Sequence, residues 1–322
     1  MGRPSCVGVG RLRGVFESPK VTVGTMNFGG RTPEAQARAI VDRALERGAA
    51  FFDTANVYGD GESERSLGKA LAGRRDQAKI ATKVGAKRVG GATEGLSASR
   101  VVAALDESLE RLKTDVVDLY YLHVPDPKTP LAQTLEGVAQ VLASGKAKAW
   151  GVSNFASWQV LELFTLCDAR GVPRPAVSQV IYNLLVRQLD VEWFAFARAH
   201  PIHTTIYNPL AGGLLARAAA APSGSRIDKN PLYRKRYGSP VLVDAAKRYA
   251  ALAAECGLDS VSFSFAWLAG QGGVDSILSG PVTVAQLDAA LDGAAKVLPA
   301  EVRKKVDELA IELAGTDARY AR

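Results

Sequence analysis

The chain has 322 residues, of which 47% are apolar, and a formal net charge of +7. It is long enough for a substantial core, and no uncharged apolar run reaches the roughly 18 residues of a membrane-spanning helix. Its lysines and arginines are dispersed without a nucleic-acid-binding motif, so composition excludes a membrane span, disfavours nucleic-acid binding and predicts a soluble cytoplasmic protein.

The N-terminal residues 1–20 are basic, and glycine and arginine interrupt them before an apolar signal core could form. We interpret them as an extension of uncertain role. The three cysteines, Cys6, Cys167 and Cys256, are scattered and lack a CxxC spacing. They predict free thiols in a reducing compartment rather than a disulfide framework or a zinc site.

Short apolar runs bounded by turn residues recur about every 30 residues and predict eight strands. The runs are 21–26, 49–54, 78–83, 116–122, 147–153, 176–182, 203–209 and 276–280. Amphipathic stretches between them predict helices, such as 33–47 with Gly48 as its C-terminal stop and 97–112 with Ser97 as its N-cap. This alternation predicts one (β/α)8 TIM barrel domain over residues 1–322. A doubly wound sheet is the rival fold, but no GxGxxG follows the first strand.

One interval breaks the rhythm of strands and helices. About 65 residues separate the seventh predicted strand from the eighth, roughly twice the usual spacing. Within this interval, residues 210–240 are rich in glycine, proline and arginine. Because they follow a strand, where barrel enzymes carry their active-site loops, we expect them to form an active-site and cofactor-binding loop.

Reactive side chains stand at the ends of three consecutive predicted strands. Asp53, Lys83 and His123 end these strands, and Tyr58 lies on the loop after Asp53. Residues at the C-terminal ends of barrel strands line one site, so we expect the four side chains to meet. Asp53 and Lys83 would satisfy each other as a buried ion pair, and the ammonium would make Tyr58 a better proton donor. His123 would be a second donor to a substrate oxygen.

These motifs resemble the aldo-keto reductases, NAD(P)H-dependent carbonyl reductases built on a (β/α)8 barrel. The resemblance extends from Val21 over nearly the whole chain, with its strongest segments at FFDTANVYGDGESERSLG, WGVSN and YNPLAGGLL. The segments YLHVPDPKTPLAQTL, LFTLCDARG and LYRKRY, with the terminal ARYAR, are most similar to the aflatoxin-aldehyde and succinic-semialdehyde reductase branch. The resemblance implies reduction of an aldehyde or ketone with NADPH, NADH being the alternative cofactor.

The resemblance also implies roles for individual residues. Tyr58 would be the general acid, Lys83 would lower its pKa, Asp53 would fix Lys83, and His123 would orient the carbonyl. Asp53 would also contact the cofactor, and Tyr233 and Arg322 would contact the substrate. The remaining cofactor-binding residues would be Ser153, Asn154, Gln179, Tyr207, Asn208, Leu210, Gly212, Gly213, Arg226, Arg236, Gly280, Thr283 and Gln286.

The chain departs from the family where the adenosine end of the cofactor would bind. Ala290 stands where the family often has an asparagine. The patch that would recognise the ribose 2′-phosphate is reduced to Pro281, Val282 and Thr283. A preference for NADPH therefore depends on Arg226 and Arg236.

Two other functions compete with the reductase. The first is a nicotinamide-binding regulatory module resembling the potassium-channel β subunits, which the four residues at the strand ends do not exclude. The second is a metal-dependent hydrolase, which is disfavoured because the chain has only three histidines and His200 and His203 lie at the start of a predicted strand. The physiological carbonyl substrate is not identified by the sequence, and assembly into a homodimer stays open.

Overall fold

The computed structural model describes residues 20–217, 230–318 and 320. Within these residues the strands are β1 (Val21–Gly24), β2 (Phe51–Asp53), β3 (Lys79–Val84), β4 (Arg88–Val89), β5 (Ala92–Thr93), β6 (Leu119–Leu122), β7 (Trp150–Ser153), β8 (Val177–Ile181), β9 (His203–Tyr207) and β10 (Ser276–Ser279). The helices are α1 (Glu34–Glu46), α2 (Glu62–Ala70), α3 (Ala98–Leu112), α4 (Leu131–Ala143), α5 (Ser157–Arg170), α6 (Trp193–Ala199), α7 (Pro231–Tyr237), α8 (Pro240–Glu255), α9 (Ser260–Ala269), α10 (Val284–Ala294) and α11 (Ala300–Ala314).

The main sheet is a closed barrel with the strand order β1-β10-β9-β8-β7-β6-β3-β2. This topology confirms the predicted (β/α)8 TIM barrel. Seven of the predicted strands each contain one shorter barrel strand, whereas β3 is as long as its predicted run 78–83 and ends one residue beyond it, at Val84. The antiparallel pair β4 and β5 was not predicted. It forms a hairpin between β3 and α3.

Local sequence signals explain the helix ends. The Ser97 hydroxyl accepts a hydrogen bond from the Arg100 backbone N–H at 3.4 Å, so this serine is the predicted N-cap of α3. Gly48 follows α1 with a φ of 72°, a left-handed conformation that glycine adopts at little cost. Among the described helices, none has both the length and the apolar character to span a bilayer.

Backbone contacts divide the described residues into two compact units. The first comprises the residues up to Ser178 together with Gly280–Val284, and the second comprises Gln179–Ser279 together with the residues from Ala285 onward. The prediction of one domain over residues 1–322 stays a prediction.

The long interval of the second unit contains more than a loop. A 3₁₀ turn at Ala211–Gly213 follows β9, and the three helices α7, α8 and α9 precede β10. The short helix α7 lies inside the segment 210–240 that the sequence marked as a loop. Asn230 caps it, because its side chain accepts from the backbone N–H groups of Leu232 and Tyr233.

Candidate active site

Strand periodicity places the predicted site residues of the first unit on one side of the sheet. Phe51, Ala81, Leu119, Tyr121 and Val177 pack in one buried apolar cluster. Two residues further along these strands come Asp53 after Phe51, Lys83 after Ala81 and His123 after Tyr121. Because side chains alternate between the two faces of a strand, residues two apart share a face. The apolar cluster therefore lies below the positions that carry the polar groups.

Asp53 and Lys83 form a buried ion pair. The Lys83 side chain has no exposed surface and that of Asp53 is 3% exposed, and the ammonium donates a hydrogen bond to Asp53 Oδ1. Nζ also donates to the Thr54 carbonyl at 2.9 Å. Burial acts to lower the pKa of Lys83, but the Asp53 charge and the nearby Tyr58 outweigh it and raise this pKa above its ordinary value. The lysine is therefore a fixed positive charge.

Tyr58 and His123 lie beside this charge and are only half-buried. The Lys83 Nζ is 5.1 Å from the centroid of the Tyr58 ring. The Tyr58 and His123 rings meet edge to face, with their centroids 5.8 Å apart. The structure thus brings together the four side chains that the sequence singled out, with the ion pair inside and the phenol and imidazole toward solvent.

The His123 imidazole is poorly placed to carry a proton. Burial, followed by the charge of Lys83, lowers its pKa from 6.5 to about 3. Its Nδ1 is buried and has no hydrogen-bond partner among the described residues. The ring is neutral at neutral pH, and a neutral imidazole donates from one of its nitrogens only.

A close packing contact supports the lysine from the barrel interior. The Tyr121 ring centroid lies 5.7 Å from the Lys83 Nζ. Tyr121 pairs with Gly151 across β6 and β7, and a Cβ at Gly151 would stand 2.9 Å from the Tyr121 ring and 2.7 Å from the Val177 carbonyl oxygen. Only glycine leaves room for the ring at this register position. Sequence inspection missed both residues, although the glycine of WGVSN follows an apolar strand and could have signalled a close contact.

Ser153 and Asn154 follow Gly151 at the end of β7. Ser153 is buried, whereas Asn154 is exposed and has a φ of 63°. The Asn154 amide donates to the His123 carbonyl at 2.9 Å and to the Ser153 hydroxyl at 3.1 Å. These bonds tie the end of β7 to the residue that carries the imidazole.

The predicted cofactor residues of the second unit lie at strand ends and on the loop after β9. Gln179 is buried within β8, and Tyr207 ends β9 with its ring half-buried. On the following loop, Asn208 and Ala211 have positive φ values of 64° and 49°. The remaining predicted residues of this region, Leu210, Gly212, Gly213, Tyr233 and Arg236, are half-buried.

Neutral hydrogen bonds connect this loop to α7. The hydroxyl of the buried Tyr237 accepts from the Asn208 amide at 2.7 Å and from the Asn183 amide at 3.3 Å. The Asn183 amide also donates to the Asn208 carbonyl at 3.0 Å. Burial raises the pKa of Tyr237 to about 12, so its hydroxyl keeps its proton. Sequence inspection missed Asn183 and Tyr237, because no spacing relates two residues so far apart.

Tyr233 packs against the same loop. A Cβ at Gly212, where φ is 70°, would stand 2.5 Å from the Tyr233 Cδ1. The loop after β9 and the helix that carries Tyr233 and Arg236 are therefore held in direct contact.

The last predicted cofactor residues precede or open α10. Gly280, Thr283 and Gln286 are exposed. The Gly280 carbonyl accepts from the Asn27 amide at 3.2 Å. The predicted residues Arg226 and Arg322 lie outside the described residues. Within the described part of the chain, no group of three or more histidine, cysteine, aspartate or glutamate side chains is arranged to hold a metal ion.

A sequence model of the Aldo/keto reductase family matches residues 20–311. The chain belongs to this family. The match includes residues of both compact units, among them Lys83 and the three side chains gathered around it, so the resemblance noted from the motifs is confirmed.

The names of similar proteins describe two kinds of protein, reductases and a potassium channel subunit. Aflatoxin B1 aldehyde reductase member 2 of Rattus norvegicus is 42% identical over 200 residues, which are 61% of this chain and 53% of that protein. Aldo-keto reductase family 7 member A3 of Homo sapiens is 38% identical over 197 residues, 61% of this chain and 59% of that protein. A probable voltage-gated potassium channel subunit beta of Arabidopsis thaliana is 30% identical over 272 residues, 81% of this chain and 83% of that protein. The match to the rat reductase thus spans about half of its length.

Proposed function

We propose that this protein reduces a small aldehyde or ketone to the alcohol with NADPH, and that Tyr58 is the general acid. The carrying observation is the buried Asp53–Lys83 pair, which holds a positive charge 5.1 Å from the Tyr58 ring centroid. A phenol beside an ammonium gives up its proton more readily, because the charge stabilises the phenolate. Family membership and the aldehyde reductases among the relatives support the same reaction.

The proposed roles divide by chemistry. When bound, reduced nicotinamide supplies a hydride to the carbonyl carbon. Tyr58 Oη gives its proton to the carbonyl oxygen as that oxygen gains electrons, so the alcohol forms and a phenolate remains. The Lys83 ammonium stabilises this phenolate, and Asp53 keeps the ammonium charged. The neutral His123 ring donates a hydrogen bond that orients the carbonyl.

The residues predicted for the cofactor are of chemical types that suit a dinucleotide. Ser153 at the end of β7 and Gln179 within β8 would offer polar side chains for the carboxamide, and the half-buried Tyr207 ring would offer a face for the nicotinamide. Asn208, Leu210, Gly212 and Gly213 would follow the pyrophosphate. Gly280, Thr283 and Gln286 precede or open the 11-residue helix α10, whose N-terminus suits a phosphate. We assign Arg226 and Arg236 to the 2′-phosphate end, and Tyr233 and Arg322 to the substrate.

A Tyr58→Phe variant tests this function. Phenylalanine keeps the ring but removes the transferable proton, so we expect turnover of 4-nitrobenzaldehyde and succinic semialdehyde to fall by on the order of 10³-fold or more. NADPH affinity, measured by tryptophan-fluorescence titration, should stay close to that of the wild type. Near-normal oxidation of NADPH at 340 nm by this variant would overturn the assignment.

The second candidate is a nicotinamide-binding regulatory module. It is favoured by the plant relative named as a probable potassium channel β subunit, which is similar over more of this chain than the aldehyde reductases are. NADPH binding by the wild type without sustained turnover of either aldehyde would favour the module. Many turnovers per protein molecule would favour the enzyme.

A further inference from the structure

The hairpin between β3 and α3 contains a buried carboxylate that the reaction does not use. The Glu94 side chain follows β5 and is only 2% exposed. One of its oxygens accepts from the backbone N–H groups of Gly85 at 2.9 Å and Lys87 at 3.2 Å. The other accepts from the Arg100 Nε at 2.9 Å. Burying a carboxylate costs free energy unless such donors surround it. A buried carboxylate that takes no part in the proposed reaction therefore needs another explanation.

The same carboxylate reaches the segment that carries the proposed acid. The Asn56 amide donates to both Glu94 oxygens, at 2.9 Å and 3.1 Å. Asn56 is fully buried and lies between Asp53 and Tyr58. Its backbone N–H donates to the Lys83 carbonyl at 3.2 Å. Glu94 therefore bonds both to Asn56, two residues before Tyr58, and to Gly85, two residues after Lys83.

The hairpin itself is anchored elsewhere in the first unit. The Leu96 backbone N–H donates to Asp126 Oδ2 at 2.9 Å, and the Leu96 carbonyl accepts from the Thr134 hydroxyl at 2.9 Å. Gly85 has a φ of 108°, and a Cβ there would stand 2.7 Å from Leu96 Cδ2. Because these contacts hold Leu96, two residues after Glu94, the carboxylate is anchored independently of Asn56.

We propose that Glu94 is a positioning residue, which fixes Tyr58 relative to Lys83 by clamping the Asn56 segment to the start of the hairpin. This inference rests on the proposed role of Tyr58 as the acid. Small displacements of an acid from its reacting partner are costly, since about 1 Å can lower a rate by on the order of 10²-fold.

A Glu94→Gln variant weakens the clamp with a minimal change of shape, because glutamine keeps only one of the two acceptor oxygens. All the partners of the carboxylate described above are donors, so the new amide N–H₂ replaces an acceptor that faced a donor. We expect kcat to fall by on the order of 10²-fold while the NADPH dissociation constant changes by less than about twofold. The alkaline limb of the kcat–pH profile should move to higher pH, because a Tyr58 moved away from the ammonium is a weaker acid.

Two companion variants separate positioning from charge and from folding. Asn56→Leu keeps the Glu94 charge and removes only the amide, and should shift the limb in the same direction with a smaller loss of kcat. Glu107→Gln is the matched control, because Glu107 bonds the far end of Arg100, at 2.7 Å and 2.8 Å, and pairs with Arg111 at 3.8 Å, but bonds neither Glu94 nor Asn56 in the contacts described. Its kcat and pH profile should match the wild type. Melting temperatures of all three variants give the structural cost.

Each contrary result has a defined meaning. An unchanged kcat and limb in Glu94→Gln, with only a lower melting temperature, would overturn the inference in favour of a structural role. A limb that moves to lower pH would mean that Glu94 acts through its charge, because losing a negative charge favours the phenolate. A parallel loss of NADPH affinity would also overturn it. Activity of Tyr58→Phe in the same assay would instead defeat the proposed function itself.

Discussion

The two compact units hold their candidate residues with different kinds of interaction. Around Tyr58, buried ions do this: Lys83 against Asp53, and Glu94 against Arg100 and backbone donors. Around the loop after β9, the neutral amides of Asn183 and Asn208 meet the Tyr237 hydroxyl. Charges buried in low dielectric fix a pKa as well as a position, whereas neutral hydrogen bonds fix a position only. We therefore expect the first region to serve acid chemistry and the second to serve ligand binding.

The largest effect is expected when the buried ammonium of Lys83 is removed. Lys83→Met should abolish turnover and leave the Asp53 carboxylate buried without its partner, lowering the free energy of unfolding by roughly 3–5 kcal/mol. The double variant Asp53→Asn with Lys83→Met removes both charges and should recover most of that stability but none of the turnover. Urea unfolding at pH 8 measures the free energy of unfolding of the two variants, and NADPH oxidation at 340 nm measures their turnover. A double variant no more stable than Lys83→Met would show that the two charges do not compensate each other.

A smaller effect is expected in the neutral region. Tyr237→Phe leaves the Asn208 amide without its acceptor at a cost of about 1 kcal/mol, which corresponds to a roughly fivefold higher NADPH dissociation constant. The pH dependence of kcat should stay the same. Tyr249→Phe is the control, because the buried Tyr249 hydroxyl has no hydrogen-bond partner among the described residues. A shifted pH profile in Tyr237→Phe would break the contrast between the two regions.

An effect that develops only at acid pH concerns the charge state of His123. Its pKa is about 3 in the folded protein, against 6.5 ordinarily. As the pH falls through 6.5, the unfolded chain takes up a proton that the folded one refuses, so stability present above that pH is lost toward pH 3. As the pH falls from 6.5 toward 3, the free energy of unfolding should decrease less in His123→Asn than in the wild type. The NMR resonance of the His123 imidazole is identified in the wild type by its absence from the spectrum of this variant. In the wild type it should not titrate above about pH 4.

Sequence patterns were sufficient for the barrel, because each of its strands is a short apolar run ending at a turn. They also located Asp53, Lys83 and His123 at strand ends, since strand parity relates each to an apolar residue two positions earlier. The sequence did not predict the hairpin of β4 and β5, because residues 88–93 are exposed and show no apolar alternation. The Gly-Gly pair between its strands was a usable turn signal.

Long-range polar contacts could not be inferred from a single sequence. Asn56 and Glu94 are 38 residues apart, and Asn183 and Tyr237 are 54 apart. A polar residue in a turn-rich segment has the same local pattern whether it faces solvent or a buried partner. The roles predicted for Arg226 and Arg322 remain predictions, because both residues lie outside the described part of the chain.

The packing of Tyr121 between Gly151 and Lys83 has a consequence for proton exchange with solvent. The Lys83 side chain has no exposed surface and lies near the Tyr121 ring, whereas Tyr58 is only half-buried. If Tyr58 is the proposed acid, we expect its phenolate to regain a proton from the solvent side and not through Lys83. The ammonium hydrogens of Lys83, by contrast, should exchange with deuterium oxide far more slowly than those of a surface lysine.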